Sequence, residues 1–217
     1  MSKKSIVFIV SLLFGLICAS KLSSSGEVEL KPLKVGFILV GSHLDYGWNY
    51  AHDQGRLYLE KHMSGQVQTT LVENVPESAD VERVMEKMIA QGNKVIFATS
   101  YGYLEPALRV AGRHPEIIIM HAGRSNQHPM KNVGTYFATQ HDPNYAAGIV
   151  AGRMTKKNEI GYVGAHPVPP LLVSLNAFTL GAHSVNAKVK VHMVWTNTWH
   201  DPVLEAETAK SLKVVYL

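Results

Sequence analysis

Cysteine is nearly missing from this chain: of 217 residues only Cys18 carries a thiol. A lone cysteine excludes an intramolecular disulfide, so the folded part must hold by its core. Phosphate-loop and nucleophile signatures are missing too. The first apolar run is followed by GSHLDYG rather than GxGxxG, and neither GxSxG nor GxxxxGK[ST] occurs, which makes an α/β enzyme the weaker reading. The eleven histidines show no HExxH spacing and have no cysteine partner, so no metal and no other cofactor is expected. Basic charge is not gathered into a groove. Part of the formal +4 comes from Lys3 and Lys4, and no later stretch concentrates lysine and arginine, which argues against a nucleic-acid partner.

What the chain does have is apolar residues, 46% of the total, and enough length for one ordinary domain or two small ones. Lys3 and Lys4 precede an apolar run from Ile6 to Ile17, followed by the small residues Ala19 and Ser20. That order makes residues 1–20 a secretory signal peptide, and the run is short for a permanent anchor. Cleavage after about Ser20 is preferred to lipidation at Cys18, because Ile17 is larger than the small residue that lipoprotein sites favour. Residues 21–32, with Ser23, Ser24, Ser25 and Gly26, read as a flexible leader. Export follows, to the periplasm or to the outer face of the plasma membrane.

From Lys34 to Gly55 the sequence reads as a buried strand, a polar loop and a helix. Val35, Phe37, Ile38, Leu39 and Val40 form a β-rich run closed by Gly41, and from Trp48 the apolar residues fall at helical spacing. The unit then repeats. Strands are expected at Val67–Val72, Lys94–Ala98, Ile117–His121 and Val133–Phe137. Helices are expected from an N-cap at Ser78 to Gly92 at C′, over Leu104–Arg113, and over Tyr145–Met154 after an opening Asp142-Pro143. Such alternation predicts an α/β fold with a doubly wound parallel sheet, here a first lobe over residues 33–138. A second lobe over 139–217 offers only two strands, Ile160–Val163 and Val189–Trp195, with helices at Leu171–Val185 and Pro202–Leu212. The closing KVVYL reads as the start of a third strand or as a frayed end.

Aromatic residues gather where these strands end. Tyr46 and Trp48 follow the first, Tyr101 and Tyr103 the third, and Trp195 and Trp199 flank the last. Ligands bind at that edge of open α/β sheets, and such rings could hold a flat heterocycle. Asp45, Asn49 and Asp201 could supply polar contacts. Plainer readings stand beside these. Asp45 serves equally as an N-cap, Asp201-Pro202 as a helix start, and Gly47 and Gly102 as turn residues. Tyr50 and Tyr58 read as packing residues, and Trp195 as core or cleft.

The segments LDYGWNYAHDQG, ATSYGYLEPAL, NYAAGIVAGRMTKKNEIGYVGAHPVP, NAFTLGAHSVN and VWTNTWHDPVLEAETAKSL resemble the basic membrane protein family of ABC-transporter solute receptors, in its purine- or nucleoside-binding branch. The resemblance covers Leu33 to Leu212. It implies a type I periplasmic-binding-protein fold of two lobes, the second truncated here, with a purine base or nucleoside closed between them. It also implies a monomer that meets an ABC permease and performs no catalysis. Trp48 and Asn49 in GWN, Tyr101 and Gly102 in SYGY, and Trp199 in NTWHDP are carried over as ligand contacts. A sensor that signals to a membrane partner would use the same fold, and so would a truncated, inactive copy.

Overall fold

The computed structural model describes residues 31–123 and 130–216. The signal peptide expected over residues 1–20, with the alternative of lipidation at Cys18, and nearly all of the expected leader lie outside them. Seven strands and six α-helices alternate along the described chain. Five strands build one parallel sheet: β1 (Leu33–Ile38), β2 (Val67–Val72), β3 (Val95–Ala98), β4 (Ile118–Ala122) and β5 (Val133–Tyr136), in the order β2-β1-β3-β4-β5. The order reverses between β1 and β3, so the loops leaving those two strands diverge and open a crevice at their carboxyl ends.

The register explains which side chains meet. Ile38 pairs with Ala98 and Gly36 with Ile96, and this face is buried under α2 (Asp80–Ala90) and α3 (Leu104–Arg113). Ile38, Met85, Met88, Ile96, Val110 and Ile119 form its centre. The helix pair is laced outside by Arg109 to Glu82, at 2.6 Å, and by Arg113 to Glu86, at 2.8 Å. α2 stops at Gly92, whose φ of +91° lets its N–H reach Ile89 O while Asn93 N–H reaches Met88 O. That is a Schellman ending. At its other end the helix begins at Asp80, two residues past Ser78, whose hydroxyl accepts the Asp80 N–H at 3.2 Å.

On the opposite face Phe37 and Phe97 stack at 4.7 Å beside α1 (Trp48–His62). Only α1 covers that side among the described helices packed on the sheet, and an apolar groove of 510 Å³ remains between its Ala51, His52 and Leu59 and the rings of Phe97 and Tyr136.

The second sheet has two parallel strands, β6 (Glu159–Gly164) and β7 (Lys190–Trp195), paired from Glu159 with Lys190 to Gly164 with Trp195. α4 (His141–Met154) leads into it and α5 (Pro169–Val185) crosses between its strands. Both helices begin earlier than their apolar patterns suggest, because polar and proline residues fill their first turns. α6 (Pro202–Tyr216) carries Lys213–Tyr216, so KVVYL supplies no strand over the described residues. Its Leu212 is buried near Gly161. The buried apolar set here is small: Ile160, Ala182 and Val189, backed by Ala151, Phe178 and Val191. Much of the cohesion around this sheet comes from α4 lying against α5, where small residues let backbones touch. A Cβ on Gly148 would overlap Phe178 O, and one on Gly181 would overlap Tyr145 O.

Gly148→Ala should therefore push the two helices apart and cost about 1–3 kcal/mol. Val150→Ala, on an exposed side of the same helix, should stay within about 0.5 kcal/mol. Urea unfolding of both variants checks this, and equal losses would contradict the close-contact account.

Candidate ligand-binding site

Asp45 organises the first wall. Its carboxylate accepts the N–H groups of Gly47 at 2.8 Å, Asn49 at 3.0 Å and Tyr50 at 2.9 Å, and the Asn49 side-chain amide at 2.9 Å. It thus fills the amino end of α1 in the manner of an N-cap. Burial works against its charge, but the N–H groups of Gly47, Tyr50 and Asn49, with the Asn49 amide, outweigh it and hold the carboxyl below the usual aspartate range. Asn49 is 2% exposed and is tied at both ends, since its Oδ1 also accepts the Gly41 N–H at 3.3 Å.

Trp48, held by that turn, sends its indole N–H to Thr99 O at 2.6 Å, so the loop after β1 is fastened to the end of β3. With its only donor spent there, the indole contributes ring surface. Phe137 lies 5.8 Å from it and His52 4.6 Å. Burial pulls His52 towards its neutral form, opposed by its bond to Trp48 O and by the Asp45 charge.

A cavity of 260 Å³ opens above this junction. Val40, Asp45, Gly47, Trp48 and Asn49 line it from β1 and α1, Ser100 and Tyr101 from the end of β3, and Ala122, Phe137 and Gln140 from β4 and β5. The second sheet supplies Ala165, Val168, Pro170 and Leu171 after β6, and Trp199 and His200 after β7. Every strand except β2 contributes, and all do so at their carboxyl ends. The volume falls just below the about 300–1,000 Å³ usual for small-molecule sites. Trp199 sits edge-on to His166 at 4.5 Å, and its indole nitrogen and Thr198 Oγ1 are buried without a hydrogen-bond partner among the described residues.

Of the residues expected from sequence, Asp45, Trp48, Asn49, Tyr101 and Trp199 meet at this cavity. Tyr103 does not. It is 0% exposed in the core and donates its hydroxyl to Val75 O at 2.5 Å. The reason is the turn type: Tyr101–Tyr103 is a 3₁₀ helix, and its three-residue period sends the two rings in different directions. Gly102 is also outside the lining. Its N–H goes to Glu77 Oε1 at 2.7 Å, and that carboxylate lies where a Cβ would stand. Asp201 caps α6, accepting the Leu204 N–H at 2.9 Å while Glu205 accepts its own.

Phe137, Gln140, Val168, Pro170, Leu171 and His200 line the cavity without having been marked in the sequence. The strand-end rule, applied to β5 and β6 as it was to β1 and β3, points to the first five. Tyr46, at 85% exposure, and Trp195 are absent from the lining. Among the described residues no three His, Cys, Asp or Glu side chains converge as a metal centre would need, and no helix is long and apolar enough to cross a membrane.

With that geometry in view, comparison with known proteins is informative. The profile of the ABC transporter substrate-binding proteins described as PnrA-like (Bmp) matches residues 33–215. The chain belongs to this family. A purine-binding protein of Brucella abortus (strain 2308) is 41% identical over 191 residues, covering 88% of this chain and 54% of that one. A Haloferax volcanii protein, provisionally named an ABC transporter glucose-binding protein, is 36% identical over 188 residues, covering 86% of this chain and 47% of that one. This PnrA-like chain therefore spans about half the length of the curated relatives it matches. Among solved structures, an ABC transporter solute-binding protein from Aeropyrum pernix K1 superposes with a TM-score of 0.74 at 21% identity, covering 84% of this chain and 52% of that one. That likeness shows the fold, an α/β architecture of the periplasmic solute-binding kind.

Because Asp45 titrates below its unfolded value, its contribution to stability is complete above the unfolded aspartate pKa of about 3.9. It is lost as the pH falls through the folded value. Asp45→Ala should cost about 1 kcal/mol at neutral pH, and the gap to the parent protein should close in acid. Urea unfolding at neutral pH and below about pH 3.9 measures it; a gap independent of pH would contradict the capping role.

Proposed function

We propose that this chain forms the solute-binding cleft of an extracytoplasmic receptor for an ABC importer, taking a purine base or nucleoside between its two lobes, residues 33–138 and 139–217. One observation carries the reading: ring residues attached to different sheets, Trp48 and Trp199, line a single small cavity. A planar solute there gains ring contacts worth about 0.5–1.5 kcal/mol each beyond area burial. The name of the Brucella relative supports purine as the solute class. The site is read as binding without chemistry. Asp45, the one carboxylate among the described residues lining it, is committed to α1 and held ionised at a lowered pKa, which suits it poorly to act as a base.

Export, action as a monomer and delivery to a membrane permease belong to the same proposal. A sensor passing its signal to a membrane partner would use the same cleft. A monosaccharide is the rival solute, favoured by the provisional glucose-binding name of the Haloferax relative and by the modest cavity.

Calorimetry with adenine, adenosine, guanosine, inosine and glucose separates these. Binding of at least one purine is expected, weakened by about 1–3 kcal/mol in Trp48→Ala and unchanged in Lys61→Ala, on the exposed surface of α1. Binding of glucose with silence towards all four purines would transfer the site to the sugar reading.

A further inference from the structure

The carboxyl edge of a parallel sheet is where helix amino ends point, and their unpaired N–H groups with the helix dipole make it the ordinary place to bind phosphate. In this chain several of those groups are already spent. At α1 the Asp45 carboxylate takes the N–H groups of Gly47, Asn49 and Tyr50, so an anion of the protein's own occupies the position. At the turn after β3, Glu77 takes the Gly102 N–H at 2.7 Å and the Ser100 hydroxyl at 2.6 Å. At α5 the first two residues are Pro169 and Pro170, which have no N–H, and the next two N–H groups, of Leu171 and Leu172, both end on Val168 O at 3.0 Å. α6 repeats the device: Pro202 has no N–H, and Leu204 and Glu205 donate to Asp201. Among the described residues lining the cavity there is no lysine or arginine to offset Asp45.

We propose that the cavity is built to reject phosphorylated and other anionic solutes, with Asp45, Glu77 and the Pro169–Pro170 pair as its specificity-determining residues. This rests on the reading of the cavity as the solute site, and it adds the class of compound that is turned away. A phosphate entering here would meet the Asp45 carboxylate in the lining, a Ser100 hydroxyl already given to Glu77, and no free donor at α5. The discrimination then acts before any contact with the base: a nucleoside is admitted while its monophosphate pays for an unpaired charge, a difference of about a hundredfold or more in affinity.

The test uses intrinsic tryptophan fluorescence with three probes: inorganic phosphate, adenosine and adenosine 5′-monophosphate. The parent protein should ignore phosphate and prefer adenosine to its monophosphate by about a hundredfold or more. Pro169→Ala/Pro170→Ala, which returns two backbone donors, and Asp45→Asn, which removes a charge while keeping an acceptor for α1, should each gain phosphate binding. Each should also narrow the preference by about tenfold, the scale of one charge-assisted hydrogen bond. Circular dichroism establishes that both variants fold. Tight binding of phosphate or the monophosphate by the parent protein overturns the inference, and so does phosphate silence in both folded variants. If adenosine binds nowhere, the purine reading fails while the phosphate arm still decides this one: a silent parent and a responsive proline variant uphold it.

Discussion

Four hydrogen bonds to the Asp45 carboxylate fix the place where β1 hands the chain to α1, and the first wall of the cavity follows from that junction. The capped turn sets Trp48, and Trp48 in turn ties the loop to Thr99 at the end of β3. Two loops that diverge from the reversal point of the sheet are thereby held across the crevice they open. The cost of the arrangement is a carboxylate kept charged beside an otherwise largely apolar pocket. It is offset locally by the same N–H groups that would otherwise attract an anion.

The two halves of the described chain are held by different means. The five-stranded sheet has a continuous apolar core against α2 and α3, the usual solution for a parallel sheet. The two-stranded sheet has only a small buried set and leans on backbone contact between α4 and α5, where Gly148 and Gly181 stand against facing carbonyls.

Most strands were legible because each is a short β-branched or apolar run between glycine, proline or polar residues, and helix identity was legible from the Val81, Met85 and Met88 face. Residues lining the candidate cavity were legible only where strand-end position and residue chemistry agreed, as at Trp48. That reading misplaces residues where local geometry intervenes. Tyr101 and Tyr103 look equivalent in SYGY until the 3₁₀ turn separates them. Asp201 looks like a cleft carboxylate until its bond to Leu204 shows it capping α6. Phe137 was hidden by counting it as the last residue of a strand that ends at Tyr136. The wall after β6 was overlooked because AHPVPP carries no Trp, Tyr, Phe or acidic residue, although its prolines leave the first turn of α5 with two fewer N–H donors.

The central claim is that one solute is held at once by loops from both sheets. Hydrogen–deuterium exchange, with and without whichever of adenosine or glucose proves to bind, tests it directly. Joint slowing of exchange over residues 99–103, 137–140 and 165–172 is predicted, with the sheet interiors unchanged. Slowing confined to the loops of one sheet, or found only along the groove beside Phe97 and Tyr136, would contradict it.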